Sequence, residues 1–190
     1  MAIKLDQILV VDIEATCWEG AIPPGQESEI IEIGICPLDI TSGQRLKKES
    51  ILVKPERSSV SEFCTQLTTL TQEQVDRSIA FKDACSILRK NYLSKERIWA
   101  SYGDYDRSQF ERQCQSRSIT YPFGNRHINV KTLLAVIYAL PREVGMAHAL
   151  ELLNLPLEGT HHRGGDDAWN IAGILSKLLL NARRTPPNLP

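Results

Sequence analysis

The sequence lacks an excess of charge of either sign. Its 190 residues include 22 Lys and Arg against 23 Asp and Glu, which gives a formal net charge of -1 at pH 7. A chain without a strong positive field does not coat duplex nucleic acid nonspecifically. Any binding of nucleic acid would therefore depend on a local groove, which favours short or single-stranded segments.

Long apolar segments and a disulfide framework are also missing. No apolar run approaches the roughly 20 residues that a membrane-spanning helix needs. The first apolar run is short and contains Asp12, which argues against a signal peptide. The five cysteines are odd in number and spread along the chain, a pattern typical of reduced thiols. We therefore expect a cytoplasmic protein that does not bind a membrane.

Three early strands followed by alternating helices and strands predict an α/β fold. The length suits one domain with a sizeable core, which we expect to span residues 1–182, with a flexible C-terminal tail at 183–190. The predicted strands lie near residues 7–14, 29–37, 48–54, 98–100 and 128–130. The predicted helices lie near residues 81–92, 106–114, 131–139, 145–153 and 166–181.

Two carboxylates end the first predicted strand. The continuously apolar run at residues 8–11 is typical of a strand that is covered on both faces, and Asp12 and Glu14 follow it. Residues at i and i+2 of a strand share a face, with their Cα atoms about 6.5 Å apart. Two carboxylates so close repel each other unless a cation lies between them. Oxygen ligands favour Mg²⁺ or Mn²⁺ over zinc.

A second acidic segment precedes the last predicted helix. It contains His-x4-Asp twice, as His161 with Asp166 and as His162 with Asp167. Asp167 lies on the apolar, sheet-facing side of the helix, because it precedes Ile171 by four positions. We therefore choose His162 and Asp167 as the functional pair, with Asp166 as a first-turn residue that interacts with the helix dipole and His161 as a loop residue.

A third acidic segment follows the predicted strand at residues 98–100. Asp106 lies where that strand gives way to a helix, and Asp is among the residues preferred as a helix N-cap. Local sequence favours this structural role for Asp106. Asp104 competes with it for either role, as a cap or as a member of an acidic site.

In this order the three acidic segments resemble the motifs of the DEDDh 3′-to-5′ exonucleases, such as RNase T and the proofreading subunit of bacterial DNA polymerase III. Further stretches are similar to the Eri-type, histone-mRNA 3′-exonuclease branch, and the resemblance covers nearly the whole chain. These stretches are Val-Asp-Ile-Glu-Ala-Thr-Cys-Trp at 11–18, Glu-Ile-Ile-Glu-Ile-Gly at 29–34, Cys-Thr-Gln-Leu-Thr at 64–68 with Thr-Gln-Glu-Gln-Val at 71–75, and His-Arg-Gly-Gly-Asp-Asp at 162–167.

The resemblance implies a ribonuclease-H-like mixed sheet of five strands flanked by helices, with the first three strands antiparallel. It also implies hydrolysis of phosphodiester bonds at single-stranded 3′ ends of RNA or DNA, releasing nucleoside 5′-monophosphates with two Mg²⁺ or Mn²⁺ ions. In the family the second motif places its acid directly after an aromatic residue, which favours Asp106 over Asp104. The metal ligands would be Asp12, Glu14, Asp106 and Asp167, and His162 would be the general base.

Substrate contacts are harder to assign from the sequence. The resemblance implies that Ala15 and Thr16 hold the terminal nucleotide. Trp18 would stack on a base, although a core or rim position is an equal alternative. Arg163 would bind a phosphate, against a default role on the solvated surface. No residue identifies itself as a contact to the RNA 2′-hydroxyl, and protein partners and oligomeric state stay open.

Two other functions compete with this interpretation. A regulatory or protein-binding module can keep an exonuclease fold with little or no nuclease activity. A phosphatase or nucleotidase would use the same metal ions on a mononucleotide. The presence of all five motif residues argues against the regulatory module, because charged groups around one site need a reason to be kept together.

Overall fold

A computed structural model describes residues 3–183 of the chain. It contains a six-stranded mixed sheet in the order β4-β3-β2-β1-β5-β6. The strands are β1 (Lys4–Ala15), β2 (Ile30–Asp39), β3 (Glu49–Lys54), β4 (Ile79–Ala80), β5 (Arg97–Ser101) and β6 (His127–Asn129). The helices are α1 (Glu62–Thr68), α2 (Gln72–Asp76), α3 (Phe81–Asn91), α4 (Tyr105–Ser116), α5 (Val130–Ile137), α6 (Met146–Leu152) and α7 (Gly164–Arg183).

The sheet confirms the predicted α/β class and the antiparallel arrangement of β1, β2 and β3. Strands β5 and β6 continue the sheet in parallel on the other side of β1. The prediction of five strands missed β4, which has two residues and pairs in parallel with the end of β3. A strand of that length shows no hydrophobic alternation, so its pairing is invisible in the sequence.

Strand β1 lies between two hydrophobic cores, as its continuous apolar run predicts. Ile8 and Val10 face one core, which is closed by α5, α6 and α7. Leu9, Val11 and Ile13 face the other core, which is closed by α3 and α4. Because both faces are covered by helices, the end of β1 is held rigidly where Asp12 and Glu14 lie.

Helix α7 begins directly on the sheet because two glycines meet there. Gly34 of β2 pairs with Asp12 of β1, and a Cβ atom added to Gly34 would overlap the carbonyl group of Gly164. Only a residue without a side chain allows this close approach. It brings the first turn of α7, with Asp167, beside the end of β1.

Helix α7 is described as far as Arg183. The other residues of the predicted tail, 184–190, lie outside the described part of the chain. The five cysteines are free thiols. Within residues 3–183, no helix combines the length and hydropathy needed to cross a membrane.

Candidate active site

Four carboxyl groups from three elements line one cavity of about 290 Å³. Asp12 and Glu14 come from the end of β1, Asp106 from the first turn of α4 and Asp167 from the first turn of α7. The cavity is completed by Ile13, Tyr102, Tyr105, Met146, His161, His162 and Ile171. The structure therefore brings together all five residues that the sequence predicts as catalytic.

Three of the four carboxylates lie within ligand distance of one another. One oxygen each from Asp12, Glu14 and Asp167 can be chosen so that all three lie within 4.8 Å of each other. Asp106 is 4% exposed, and its Oδ1 accepts a hydrogen bond from the backbone N–H of Ile13 at 2.9 Å. This bond fixes the Asp106 carboxylate against the strand, between the positions of the first two acids.

The structure distinguishes between the two candidate acids of the second motif. Asp104 occupies the N-cap position of α4 without making a side-chain capping bond. Its Oδ2 instead accepts a hydrogen bond from Asn129 Nδ2 at 3.1 Å, and the residue is exposed. Asp106 lies within the first turn, so the N-cap role suggested for it by local sequence is wrong. Its side chain, unlike that of Asp104, lines the cavity.

Burial raises the pKa of all four carboxyl groups, and neighbouring carboxylates add to the rise at Asp12, Glu14 and Asp106. Burial, reinforced by Asp167 and Glu32, raises the pKa of Glu14 to about 8. Burial raises the pKa of Asp106 to about 7, although its hydrogen bond from Ile13 opposes the rise. The pKa of Asp12 rises well above its usual range through burial and then through Asp106 and Glu14. Burial also raises the pKa of Asp167, against the effect of His161.

This donor set fits divalent metal ions. Carboxyl groups crowded at one buried point favour their protonated forms unless cations neutralise them. The four acids offer carboxylate oxygens as ligands, which Mg²⁺ and Mn²⁺ prefer. Asp12, Glu14, Asp106 and Asp167 are therefore the residues that would hold such ions, and a neighbouring histidine is available for proton transfer.

Both histidines of the last motif lie at the cavity, but they contact Asp167 in different ways. His161 Nδ1 lies 3.0 Å from Asp167 Oδ2. His162 binds the same oxygen through its backbone N–H, at 2.9 Å. The two imidazole rings are stacked with their centroids 4.0 Å apart. The predicted pair of His162 and Asp167 is thus linked through backbone, and the ring contact belongs to His161.

His162 adopts a backbone conformation that a non-glycine residue rarely takes, with a φ of 64°. Such a conformation costs about 1 kcal/mol or more and persists only where the surroundings impose it. Burial, followed by the neighbouring His161, lowers the pKa of His162. Its imidazole is therefore neutral at neutral pH, the form that accepts a proton.

Arg163 does not line this cavity, because its guanidinium group is engaged by Glu32. Nε and Nη2 of Arg163 donate to the two carboxylate oxygens of Glu32, each at 3.1 Å. Glu32 is fully buried, also accepts the backbone N–H of Gly164 at 3.0 Å, and lies opposite Glu14 in the sheet. This arrangement anchors the segment before α7, so the structure favours an anchoring role for Arg163 over the predicted phosphate contact.

The predicted nucleotide contacts lie at or after the end of β1, and the Thr16 side chain is occupied by internal hydrogen bonds. Thr16 is fully buried, and its hydroxyl group accepts the N–H of Glu29 at 2.9 Å and donates to the carbonyl of Glu27 at 3.1 Å. Ala15 is also buried, at 7% exposure. Trp18 is half-buried and is not among the residues that line the cavity.

Tyr105 is a cavity residue that the sequence analysis did not single out as a candidate site residue. Its side chain is 57% exposed and lines the cavity beside Asp106. The signal was present, because this residue is the aromatic neighbour that selects Asp106 in the family motif. Tyr102 and Met146 also line the cavity, and neither carries a recognisable sequence signal for that position.

The fold is similar to solved nucleases. The nuclease domain of 3′hExo, described as a DEDDh family member bound to rAMP, superposes with a TM-score of 0.82 at 32% identity, covering 93% of this chain and 92% of that one. A 3′-exonuclease in a structure of 3′-end specific recognition of histone mRNA stem-loop gives a TM-score of 0.83 at 28% identity, covering 100% of this chain and 73% of that one.

Fold and site together place the chain among ribonuclease-H-like proteins of the DEDDh type. The model of the exonuclease family (RNase_T) matches residues 9–175, and the chain belongs to this family. It is 35% identical over 187 residues to 3′-5′ exoribonuclease 1 of Rattus norvegicus and 33% identical to that of Homo sapiens, with 92% of this chain covered. The chain spans about half the length of these relatives, 53% and 52%. The predicted Eri-type resemblance is confirmed.

The metal-free protein should lose stability as the pH rises from 6.5 to 8.5. Glu14 and Asp106 have folded-state pKa values of about 8 and about 7, so the folded state binds protons that the unfolded state has already released. The loss should be on the order of 2 kcal/mol, or roughly 5 °C in melting temperature. Thermal melts in EDTA measure it, and Mn²⁺ at pH 8.5 should reverse it.

Two variants test whether this pH effect belongs to the acidic cavity. Glu14→Gln should flatten the pH dependence, because it removes the titrating group with a pKa of about 8, and should weaken the response to Mn²⁺. Asp83→Asn, an exposed change on α3, should leave both as in the parent protein. An equal pH response in the parent protein and Glu14→Gln would count against the cavity as its source.

Arg163→Gln should lower the free energy of unfolding by on the order of 3 kcal/mol, because it leaves the buried Glu32 without its charge partner. Urea denaturation measures this loss. Adding Glu32→Gln to the same chain should restore part of it, because both charges are then absent. If Arg163 instead bound substrate phosphate, Arg163→Gln would raise KM and leave the unfolding midpoint unchanged.

Proposed function

We propose that the chain is a divalent-metal-dependent 3′-to-5′ exonuclease that releases nucleoside 5′-monophosphates from single-stranded 3′ ends. The observation that carries the proposal is the convergence of Asp12, Glu14, Asp106 and Asp167 with a neutral histidine at one cavity. The proposed catalytic domain spans residues 1–182. The five free thiols fit a reducing compartment, which supports a cytoplasmic location.

The four carboxylates of Asp12, Glu14, Asp106 and Asp167 would hold two Mg²⁺ or Mn²⁺ ions. When bound, such ions stabilise the charge on the attacking and leaving oxygens of a phosphodiester. The role of the protein is to keep the acids in place. The backbone N–H of Ile13 orients Asp106, and the backbone N–H of His162 orients Asp167.

We assign the general base to His162 because its ring is available. Neither of its ring nitrogens has a hydrogen-bond partner within residues 3–183, whereas Nδ1 of His161 is engaged by Asp167. A free nitrogen on a neutral imidazole can accept the proton of an attacking water. His161 stacks on His162 and would restrict the orientation of its ring.

RNA is the substrate that we propose to test first. Two relatives of this chain are named exoribonucleases, and one structural neighbour is a 3′-exonuclease that recognises a histone mRNA stem-loop. Tyr105 offers an exposed aromatic face at the cavity, and single-stranded nucleic acids commonly stack their bases on such faces. The backbone around Ala15 and Thr16 would hold the terminal nucleotide, with Trp18 as a second stacking candidate.

The proposed activity predicts a ladder of shortened products from a 5′-labelled RNA oligomer in Mg²⁺ or Mn²⁺. Shortening should stop in EDTA and in Asp12→Asn, which keeps the side-chain shape but removes a charged ligand. Asp83→Asn should be as active as the parent protein. Gel electrophoresis follows the ladder, chromatography identifies nucleoside 5′-monophosphates, and a matched DNA oligomer gives the sugar preference.

Two results would reject the proposal in different ways. Intact oligomers under every condition, from a folded protein that binds Mn²⁺, would favour the regulatory-module alternative. Release of inorganic phosphate from mononucleotides, with oligomer length unchanged, would identify a phosphatase or nucleotidase.

His162→Ala should reduce kcat by about 10²- to 10⁴-fold, the usual contribution of a general base, while Mn²⁺ affinity is retained. His161→Ala should have a smaller effect on kcat. With saturating metal ion, the rate of the parent enzyme should fall only below the ordinary histidine pKa of about 6.5, because the pKa of His162 is lowered and the base must be neutral. Calorimetry and single-turnover rates test these expectations, and a larger loss in His161→Ala would exchange the two roles.

A further inference from the structure

A second groove, of about 460 Å³, lies directly beside the acidic cavity. Val144 and Gly145 line this groove, and the next residue along the chain, Met146, lines the acidic cavity. Tyr102 also lines the acidic cavity, and its hydroxyl group donates to the carbonyl oxygen of Val144 at 2.9 Å. The two spaces are therefore separated by one short segment of chain, which Tyr102 holds in place.

The groove presents positive charge that the protein itself does not use. Arg142 and His148 line it and are exposed, and neither side chain has a hydrogen-bond or ion-pair partner in the described part of the chain. Glu143 also lines the groove but is engaged by α5, where its carboxylate accepts the Thr132 hydroxyl at 2.5 Å and lies 3.8 Å from Lys131 Nζ. An anion in the groove would therefore meet a guanidinium group that has no competing partner.

The rest of the groove is largely apolar. Leu140, Pro141 and Leu152 line it, and Leu152 is 46% exposed. Leu152 lies four positions after His148, so the two share one face of α6. Apolar surface beside unpaired donors fits a nucleotide, because its base and ribose have apolar faces and its phosphate is an anion. The volume lies within the range of about 300–1,000 Å³ that is usual for small-ligand sites.

The position of the groove determines which nucleotide could reach it. The proposed substrate ends at the nucleotide in the acidic cavity, so its chain leaves that cavity only in the 5′ direction. A phosphate that leaves a cavity of carboxylates needs a positive charge nearby, because a chain of net charge -1 supplies no general field. Within the groove, Arg142 supplies such a charge two residues before Val144.

We propose that the groove binds the phosphate of an upstream nucleotide of the single-stranded substrate, with Arg142 as the main contact and His148 as a second donor. This inference rests on the proposed exonuclease function and deepens it, since it names the residues that make a longer oligomer bind better than a short one. A dinucleotide without terminal phosphates contains only the scissile phosphate, so it cannot use Arg142.

The first measurement is the affinity for a 5′-labelled RNA octamer in Mn²⁺, followed by fluorescence anisotropy. Every protein in this series also carries His162→Ala, so that the octamer stays intact during the titration. Arg142→Gln should weaken binding by about 5-fold. It should also reduce the dependence of log affinity on log salt concentration by about 0.7, the value for one phosphate contact on a single strand. Arg142→Lys should recover this salt dependence, because it keeps the charge.

The matched control is Arg126→Gln, which removes the same charge away from the groove. Arg126 directly precedes β6, whereas the acidic cavity follows the end of β5, the parallel neighbour of β6. This variant should bind the octamer as the parent protein does. Thermal melts confirm that each variant is folded.

The second measurement uses steady-state cleavage with His162 intact. Arg142→Gln should raise KM for the octamer by about 5-fold and leave kcat unchanged, because the groove lies outside the cavity where bonds break. For the dinucleotide, both KM and kcat should stay as in the parent protein.

Unchanged octamer affinity and salt dependence in Arg142→Gln would overturn the inference, while a ladder from the parent protein would leave the exonuclease proposal intact. An equal loss in Arg126→Gln would indicate a general field, and an equal loss with the dinucleotide would place Arg142 at the terminal nucleotide. Either result would also overturn the inference, as would a parent protein that does not bind the octamer. If the parent bound the octamer but cleaved none, the exonuclease proposal would fail, and the affinity of Arg142→Gln would still decide whether the groove holds a phosphate.

Discussion

Four carboxyl groups repel one another at the end of β1, and the architecture around them keeps them together. The other three raise the pKa of Asp12, and Asp106 and Asp167 raise that of Glu14. The site therefore opposes its own ionisation in the absence of cations. The structure resists this repulsion with rigid supports. Strand β1 is packed on both faces. The close contact between Gly34 and Gly164 lets the start of α7 lie directly against the sheet.

A fifth acid, Glu32, adds to the repulsion among the carboxylates and also brings a compensating positive charge, Arg163, close to them. It lies opposite Glu14 in the sheet and raises the pKa of that residue. Arg163 neutralises Glu32 through two hydrogen bonds, and its charge lowers the pKa of Glu14. The same bonds tether the chain directly after His162. Arg163 thus compensates the charge of Glu32 and, by the same bonds, holds the segment in which His162 has its left-handed backbone conformation.

The sequence predicts the parts of the site that depend on local periodicity. A continuous apolar run located β1, and the alternation of side chains along a strand placed Asp12 and Glu14 on one face. Helical spacing likewise placed Asp167 towards the sheet. The partner of Arg163 was not predictable, because Glu32 lies 131 residues away in sequence. Nor was the groove beside Met146, whose border with the acidic cavity depends on the bond from Tyr102 to Val144, 42 residues away.

An acidic cavity in a chain of net charge -1 constrains how the proposed substrate would bind. Without cations, the carboxylates and a phosphodiester would repel each other, so affinity for a 3′ end cannot come from a general positive field. Metal ions in the cavity would reverse the local potential, and the exposed ring of Tyr105 would add stacking that is insensitive to charge. Binding of the oligomer should accordingly depend on the metal ions and not only its cleavage, because the same carboxylates that hold the ions would otherwise exclude the phosphate.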